Sequence, residues 1–229
     1  MLKRIWRIFL KIVLWFFILS ITTVIIYRFV PPPITPLMIQ RCLEQAFDKK
    51  KKVTLNKDWV SLDKISPSLP LAVITAEDQK FAEHFGFDIE AIQKAQKYND
   101  RHKGKRVKGA STISQQTAKN VFLFPSRSWV RKGFEVYFTF LIEVFWSKKR
   151  IIEIYLNEIE MGPGIYGAEA AAQHYFGKPA KKLTNSESAL IAACLPNPIR
   201  WSPAKPTVYI KKKQGWILHH MRYIDLKEL

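Results

Sequence analysis

The chain has 229 residues, with 37 Lys or Arg against 19 Asp or Glu and a formal net charge of +18. Once an N-terminal apolar segment is set aside, roughly 170–190 residues remain, enough for one domain with a sizeable core and too few for two independent ones. The charge balance suits a phosphate-bearing partner, whether nucleic acid, anionic lipid or a polyphosphate substrate, while two cysteines, Cys42 and Cys194, exclude a disulfide framework and a zinc-ligand cluster.

The first predicted element is the uncharged run IVLWFFILSITTVIIY at 12–27, which reaches bilayer length when extended back to Ile5, with Arg7 and Lys11 snorkelling to the interface. Lys3, Arg4, Arg7 and Lys11 precede it and only Arg28 follows closely, so the N-terminus is expected inside and everything after Val30 outside. No A-x-A-like cleavage site follows, and Pro31, Pro32 and Pro33 form a stiff exit spacer, so the segment is expected to stay as an anchor. The domain plan is therefore a cytoplasmic tip and transmembrane anchor at 1–30, a linker and membrane-proximal lead-in at 31–66, and a catalytic domain at 67–229. Within the lead-in, the four lysines at 49–52 are either a solvated stretch or a contact to anionic lipid.

After Pro70 a helix is predicted over 71–85, stopped by Gly86, and a charged surface loop over 96–109. Further helices are predicted over 112–122, 129–146, 148–157, 165–176, 185–195 and 206–224. Thr112 with Gln115 and Thr184 with Glu187 have capping-box spacing, Gly177 suits a helix C-terminus, and Pro196 ends its helix. No strand series with regular turns appears, so the soluble part is mainly α.

Several clusters could carry chemistry. If the 71–85 helix is continuous, Glu77, Phe81 and His84 share one face over two turns, and burial of Glu77 against Phe81 would raise its pKa toward that of a general base. An ordinary exposed acidic pair, Glu77 with Asp78, has the same spacing. Thr112, Gln116, Lys119 and Asn120 form a polar stripe suited to a sugar or phosphate, although surface solvation explains the same residues. In WVRKGFEVYFTFLIEVFW the second half is apolar on every side, so Glu135 needs a partner, and Arg131 and Lys132 stand four and three residues back. Lys148, Lys149 and Arg150 open the next helix, where the macrodipole disfavours cations, so they face either a phosphate or lipid headgroups. Two basic helix starts, at Arg131–Lys132 and at Lys148, are expected to converge on one pyrophosphate. Ser61 and Lys64 fit S-x-x-K, but no S-D-N or K-T-G follows. Nucleotide-binding glycine loops are missing from the sequence, and His219–His220 has no companion at metal spacing.

Taken in order, the motifs Glu77-Asp78-x-x-Phe81-x-x-His84-x-Gly86-x-Asp88, Gly109-Ala110-Ser111-Thr112-Ile113-Ser114-Gln115-Gln116-x-x-Lys119-Asn120, Arg131-Lys132-x-x-Glu135 and Ser147-Lys148 running to Glu153-x-Tyr155-Leu156-Asn157 resemble the family-51 peptidoglycan glycosyltransferases. The likeness continues through Gly162 to the Leu195-Pro196-Asn197-Pro198 run and is closest to monofunctional members. Ala110 departs from it, standing where the family usually shows a second glycine. The resemblance implies a mainly α, lysozyme-like domain with a membrane-proximal jaw, preceded by one transmembrane helix, in the bacterial cytoplasmic membrane with the catalytic domain outside. It implies polymerisation of lipid II: Glu77 as general base deprotonates the GlcNAc 4-hydroxyl of lipid II, which attacks the lipid-linked chain with inversion, forms a β-1,4 bond and releases undecaprenyl pyrophosphate.

The same resemblance makes Glu135 the second catalytic residue. It assigns substrate binding to Asp78, Phe81, His84, Ser111, Thr112, Gln115, Gln116, Lys119, Asn120, Arg131, Lys132 and Lys148. No cofactor is implied, with room for a divalent cation at the pyrophosphate. The implied partners are lipid II, lipid-linked glycan, membrane lipid and cell-division or wall-synthesis proteins, and not nucleic acid. A lysozyme-like fold also serves glycan-cutting enzymes, but those have no pyrophosphate to hold. A basic membrane scaffold is the non-enzymatic alternative, and it leaves the ordered carboxylates unexplained.

Overall fold

The computed structural model describes residues 2–48, 53–102, 108–126 and 128–224; the lysines at 49–52 and the centre of the expected 96–109 loop lie outside them. The fold is mainly α. Helix α1 (Leu2–Phe29) is apolar and 28 residues long, about 42 Å at the helical rise, which exceeds the hydrocarbon thickness of a bilayer. It docks on the domain through a few specific contacts. Ser20 Oγ lies 2.7 Å from the Tyr137 hydroxyl, Trp146 Nε1 donates to the Val24 carbonyl at 2.7 Å, and Phe16 and Phe17 meet the Tyr137 ring. Where α1 ends, Arg150 donates to the carbonyls of Tyr27 and Val30, satisfying acceptors that a helix C-terminus leaves open. Lys57 Nζ then takes the Pro32 carbonyl at 2.7 Å and both oxygens of the buried Glu158.

Helix α2 (Pro36–Phe47) begins with Thr35 as N-cap and packs against α5 (Ile113–Phe122). The lead-in region thus carries a helix that its mixed composition did not announce. Helix α3 (Ser68–Glu77) is buried along most of its length against α9 (Asn185–Cys194) and α10 (Val208–His220). Helix α5 lies against α6 (Trp129–Phe145) and α7 (Lys148–Glu158). Three very short strands, β1 (Asn56–Lys57), β2 (Glu160–Gly162) and β3 (Ile165–Tyr166), form a sheet in the order β1-β3-β2, with β1 parallel and β2 antiparallel to β3. One core runs through the domain, with Leu69, Val73, Phe81, Ile113, Ile142, Ile152, Tyr155 and Leu156 among its fully buried side chains.

The capping boxes at Thr112–Gln115 and Thr184–Glu187 form as expected, and Gly177 closes α8 (Ala168–Phe176) in the left-handed conformation. Three expectations are corrected. The helix predicted over 71–85 starts at Ser68 and stops at Glu77, where Asp78 leaves helical geometry (φ −162°, ψ 77°). Part of the 96–109 loop is helical, because α4 (Ile89–Arg101) runs on from an Asp88 N-cap and buries Ala95. The start predicted at 165 is a strand instead, and α8 opens only after Gly167, whose φ is 83° and whose Cβ, if present, would stand 2.7 Å from the Asn157 carbonyl oxygen.

Candidate active site

Because α3 ends at the surface of the core, the side chain of its last residue, Glu77, emerges half-buried. Gln116 Nε2 donates to Glu77 Oε2 at 2.9 Å, and the hydroxyl of the buried Tyr155 donates to Gln116 Oε1 at 3.1 Å, so a relay from α7 through α5 orients the carboxylate. Burial pushes the Glu77 carboxyl above its usual range, while the Gln116 hydrogen bond and the charges of Lys213 and Lys119 pull it back. The desolvation anticipated from sequence is present. Its helical basis is not: with α3 finished at Glu77, Phe81 and His84 belong to the following turn rather than to the same helix face.

That turn is held from below. Asp78 accepts from His84 Nε2 and from the Ile113 backbone N–H, both at 2.9 Å, and Thr112 Oγ1 donates to the Gly86 carbonyl at 2.7 Å. Gly86 takes φ 76°, and a Cβ there would come within 2.8 Å of Thr139 Cγ2, so the position excludes other residues twice over. Phe81 is fully buried, and Gln115 is engaged in the Thr112 capping box. Ser111 is exposed in the turn before α5. Lys148 Nζ donates to the His84 carbonyl at 2.6 Å and to Glu143 at 2.8 Å, and lies 4.7 Å from the centre of the Phe81 ring. Ser114 donates to the same Glu143.

Arg131 and Lys132 do pair with Glu135, the former at 2.8 Å, which supplies the partners that a buried carboxylate on an apolar helix requires. The two basic helix starts do not converge as expected. Arg131 stands in the first turn of α6 and Lys148 beyond its last, on the order of 20 Å apart at the helical rise, and the Lys148 ammonium is already occupied.

Beside Gln116 and Tyr155 opens a cleft of about 610 Å³. Lys119, Asn120 and Arg131 line one side, the Leu195–Pro196–Asn197–Pro198 run another, and Leu37, Arg41 and Glu160 a third. Burial lowers the Lys119 pKa, and Glu135 draws it back up. Arg131 Nε is buried with no hydrogen-bond partner among the described residues, an open donor at the cleft wall. Of the residues singled out from sequence, Gln116, Lys119, Asn120 and Arg131 line this space; Asp78, Phe81, His84, Thr112, Gln115 and Lys148 build the scaffold beneath it. Arg41, Tyr155, Glu160 and Lys213 had escaped notice. Tyr155 stood inside a quoted motif, whereas Arg41 is brought to the cleft only by the packing of α2, which no local pattern betrays.

A half-buried carboxylate, with cations along an open cleft, can take a proton from a hydroxyl while stabilising an anionic leaving group. The transglycosylase family matches residues 44–222. The chain is 57% identical to a biosynthetic peptidoglycan transglycosylase of Bacteroides thetaiotaomicron, covering 97% of this chain and 89% of that one. It is 54% identical to the protein of the same description from Bdellovibrio bacteriovorus (92% and 83% covered) and 51% identical to that of Shewanella oneidensis (97% and 93%). The chain belongs to the transglycosylase family, the family-51 peptidoglycan glycosyltransferases, and is an enzyme of that class.

Proposed function

We propose that the enzyme polymerises lipid II into glycan strands at the outer face of the bacterial cytoplasmic membrane. The observation that carries this reading is Glu77, half-buried and oriented by Gln116, whose own helix also lends Lys119 to the cleft that Arg131 lines. Glu77 takes the proton of the GlcNAc 4-hydroxyl of lipid II as that oxygen attacks the anomeric carbon of the lipid-linked chain. The bond to undecaprenyl pyrophosphate breaks with inversion, a β-1,4 link forms, and the pyrophosphate leaves as an anion stabilised by Arg131, Lys119 and the Glu135-bound Lys132. Glu135 holds that cationic wall in place. Among the described residues no group of three or more His, Cys, Asp or Glu side chains is placed to hold a metal ion.

An exposed apolar face supports a membrane-surface setting. Val136, Phe140 and Val144 of α6 are each more than 40% exposed, and Phe85 packs edge-on against Phe140. A surface of this kind fits lipid contact better than water. The experiment gives detergent-solubilised enzyme and its Glu77→Gln variant labelled lipid II in one reaction and preformed glycan strands in another. Polymer from lipid II that depends on Glu77 is expected. Shortened strands without polymer would establish a glycan-cutting enzyme instead, and a folded protein inactive in both would point to a scaffold.

A further inference from the structure

The three cations that open α7 go separate ways in the fold. Lys148 is taken up by Glu143 and the His84 carbonyl, and Arg150 by the carbonyls of Tyr27 and Val30. Lys149 is left exposed, with no hydrogen bond or ion pair among the described residues. In the first turn it opposes its own helix dipole, a cost that an anion beside it would offset. It lines a pocket of about 310 Å³ whose floor is apolar, made by Leu62, Ile65 and Ile152 with Pro67 and Pro70. Lys181, also exposed, lines the same pocket and donates to the Asp63 carbonyl. Asp63 is a lining residue too, so the walls carry two cations against one anion. None of the pocket's residues lines the cleft beside Gln116, and Pro70 and Glu77 are on the order of 10 Å apart at the helical rise of α3.

Contacts with α1 set the height of this pocket against the bilayer. Phe16 meets Phe134, the Val24 carbonyl meets Trp146, and the Tyr27 and Val30 carbonyls meet Arg150, so α6 and the start of α7 follow α1 in the same direction. The uncharged stretch of α1 ends at Tyr27, with Arg28 next, so Arg150 and its neighbour Lys149 stand where hydrocarbon gives way to headgroups. From there a short chain of contacts reaches the pocket. Arg150 donates to Glu153 at 2.6 Å, and Glu153 accepts from the backbone N–H of Leu62, a floor residue, at 2.9 Å. The Trp59 ring lies 5.3 Å from the Arg150 guanidinium, an aromatic side chain at the level where membrane proteins place them. The headgroup layer is roughly 5–7 Å deep on each side of the hydrocarbon, which the reach of Lys149 spans.

We propose that this pocket, at the foot of α1, binds the headgroup of an anionic phospholipid, its phosphate drawn to Lys149 and Lys181 and its glycerol resting on the apolar floor. A free phosphate would use the cations but not the floor, and a zwitterionic lipid would bring its own cation to the two lysines. The test titrates the detergent-solubilised full chain with phosphatidylglycerol or phosphatidylcholine and counts bound lipid by native mass spectrometry, with inorganic phosphate as competitor in a third series. The wild type is expected to retain phosphatidylglycerol over phosphatidylcholine, and inorganic phosphate to leave that binding intact. Each lysine at an anionic lipid surface contributes about fivefold in affinity, so the Lys149→Gln, Lys181→Gln double variant should bind phosphatidylglycerol roughly 30-fold more weakly. Both positions are exposed, so its thermal transition is retained; should it not be, each single variant is read for its own fivefold loss. A Lys211→Gln, Lys212→Gln variant, which removes the same charge from exposed positions on α10, leaves binding unchanged. Equal weakening in the two double variants would mean attraction by net charge alone and overturn the proposal. Undiminished binding without Lys149 and Lys181, or equal retention of the two lipids, would overturn it as well, and displacement by inorganic phosphate would replace it with a site for soluble phosphate.

Discussion

In its proposed role Glu77 has to be basic enough to accept a proton and yet ionised when the hydroxyl arrives, and its surroundings push in both directions. Burial raises its pKa; Gln116, Lys213 and Lys119 lower it. Replacing it by Gln keeps the shape and the contact with Gln116 but removes the base, so turnover is expected to fall by roughly 10²–10⁴-fold with the thermal transition retained. Near-normal turnover would exclude it from the role. Tyr155→Phe removes only the hydroxyl that fixes Gln116. A loss of about 1 kcal/mol in transition-state stabilisation, some fivefold in kcat/KM, is expected, since one neutral hydrogen bond is lost; a variant as impaired as Glu77→Gln would mean that Tyr155 itself meets the substrate. Glu77 could be singled out in the sequence because its motif is distinctive. Its environment could not be, since Gln116, Tyr155 and Lys213 approach from three other helices.

Among the elements, α6 and α7 are joined by a buried polar knot. Lys148 bridges Glu143, whose side chain is 3% exposed, to the His84 carbonyl. A first-turn lysine works against its own helix dipole. Here Lys148→Ala also strands the buried Glu143 carboxylate, so a stability loss of roughly 3 kcal/mol is expected in denaturant unfolding. Unchanged stability would show that Ser114 alone satisfies Glu143. At the far end of α7, burial pushes the Glu158 carboxyl up to about 7 against the pull of Lys57 and Arg150. A carboxyl raised in the folded state contributes its full stability below its ordinary value of 4.5 and loses it as pH climbs through about 7. Thermal stability should therefore decline from acid to neutral pH, and Glu158→Gln should flatten the decline; an equal slope in that variant would place the effect elsewhere. Helix starts were largely legible because caps are local chemistry, as at Thr112 and Thr184. The end of α3 was not, because the Asp78 side chain that turns the chain away answers to Ile113 and His84, neither of them on α3.

At the scale of the whole molecule, α1 is a packed part of the domain rather than a free tether. Tyr137, Trp146 and Arg150 all spend polar groups on it. A chain beginning at residue 31 would leave these groups open and uncover Phe134, which α1 meets through Phe16. It is expected to float partly with liposomes through the face formed by Phe85, Phe134 and Phe140, and to lose that residual binding when Phe140→Ser and Val136→Ser are added. Complete solubility without detergent before those changes would count against a second membrane contact.

The sequence by itself determined what depends on neighbours along the chain: an apolar helix long enough to cross a bilayer, a mainly α body, the capped helix starts, the Glu135 ion pair at offsets of three and four, and ordered motifs that mark the family. Only the tertiary structure decided which of those residues line the cleft. It turned Asp78, His84 and Lys148 into scaffold, parted the two basic helix starts along α6, and brought Arg41 and Lys213 from remote helices toward one site. The physical reason is that periodicity reports which side of a helix is apolar, whereas helix packing sets which distant segments meet, as when Gln116 meets Glu77 39 residues away and Lys57 meets Glu158 101 residues away.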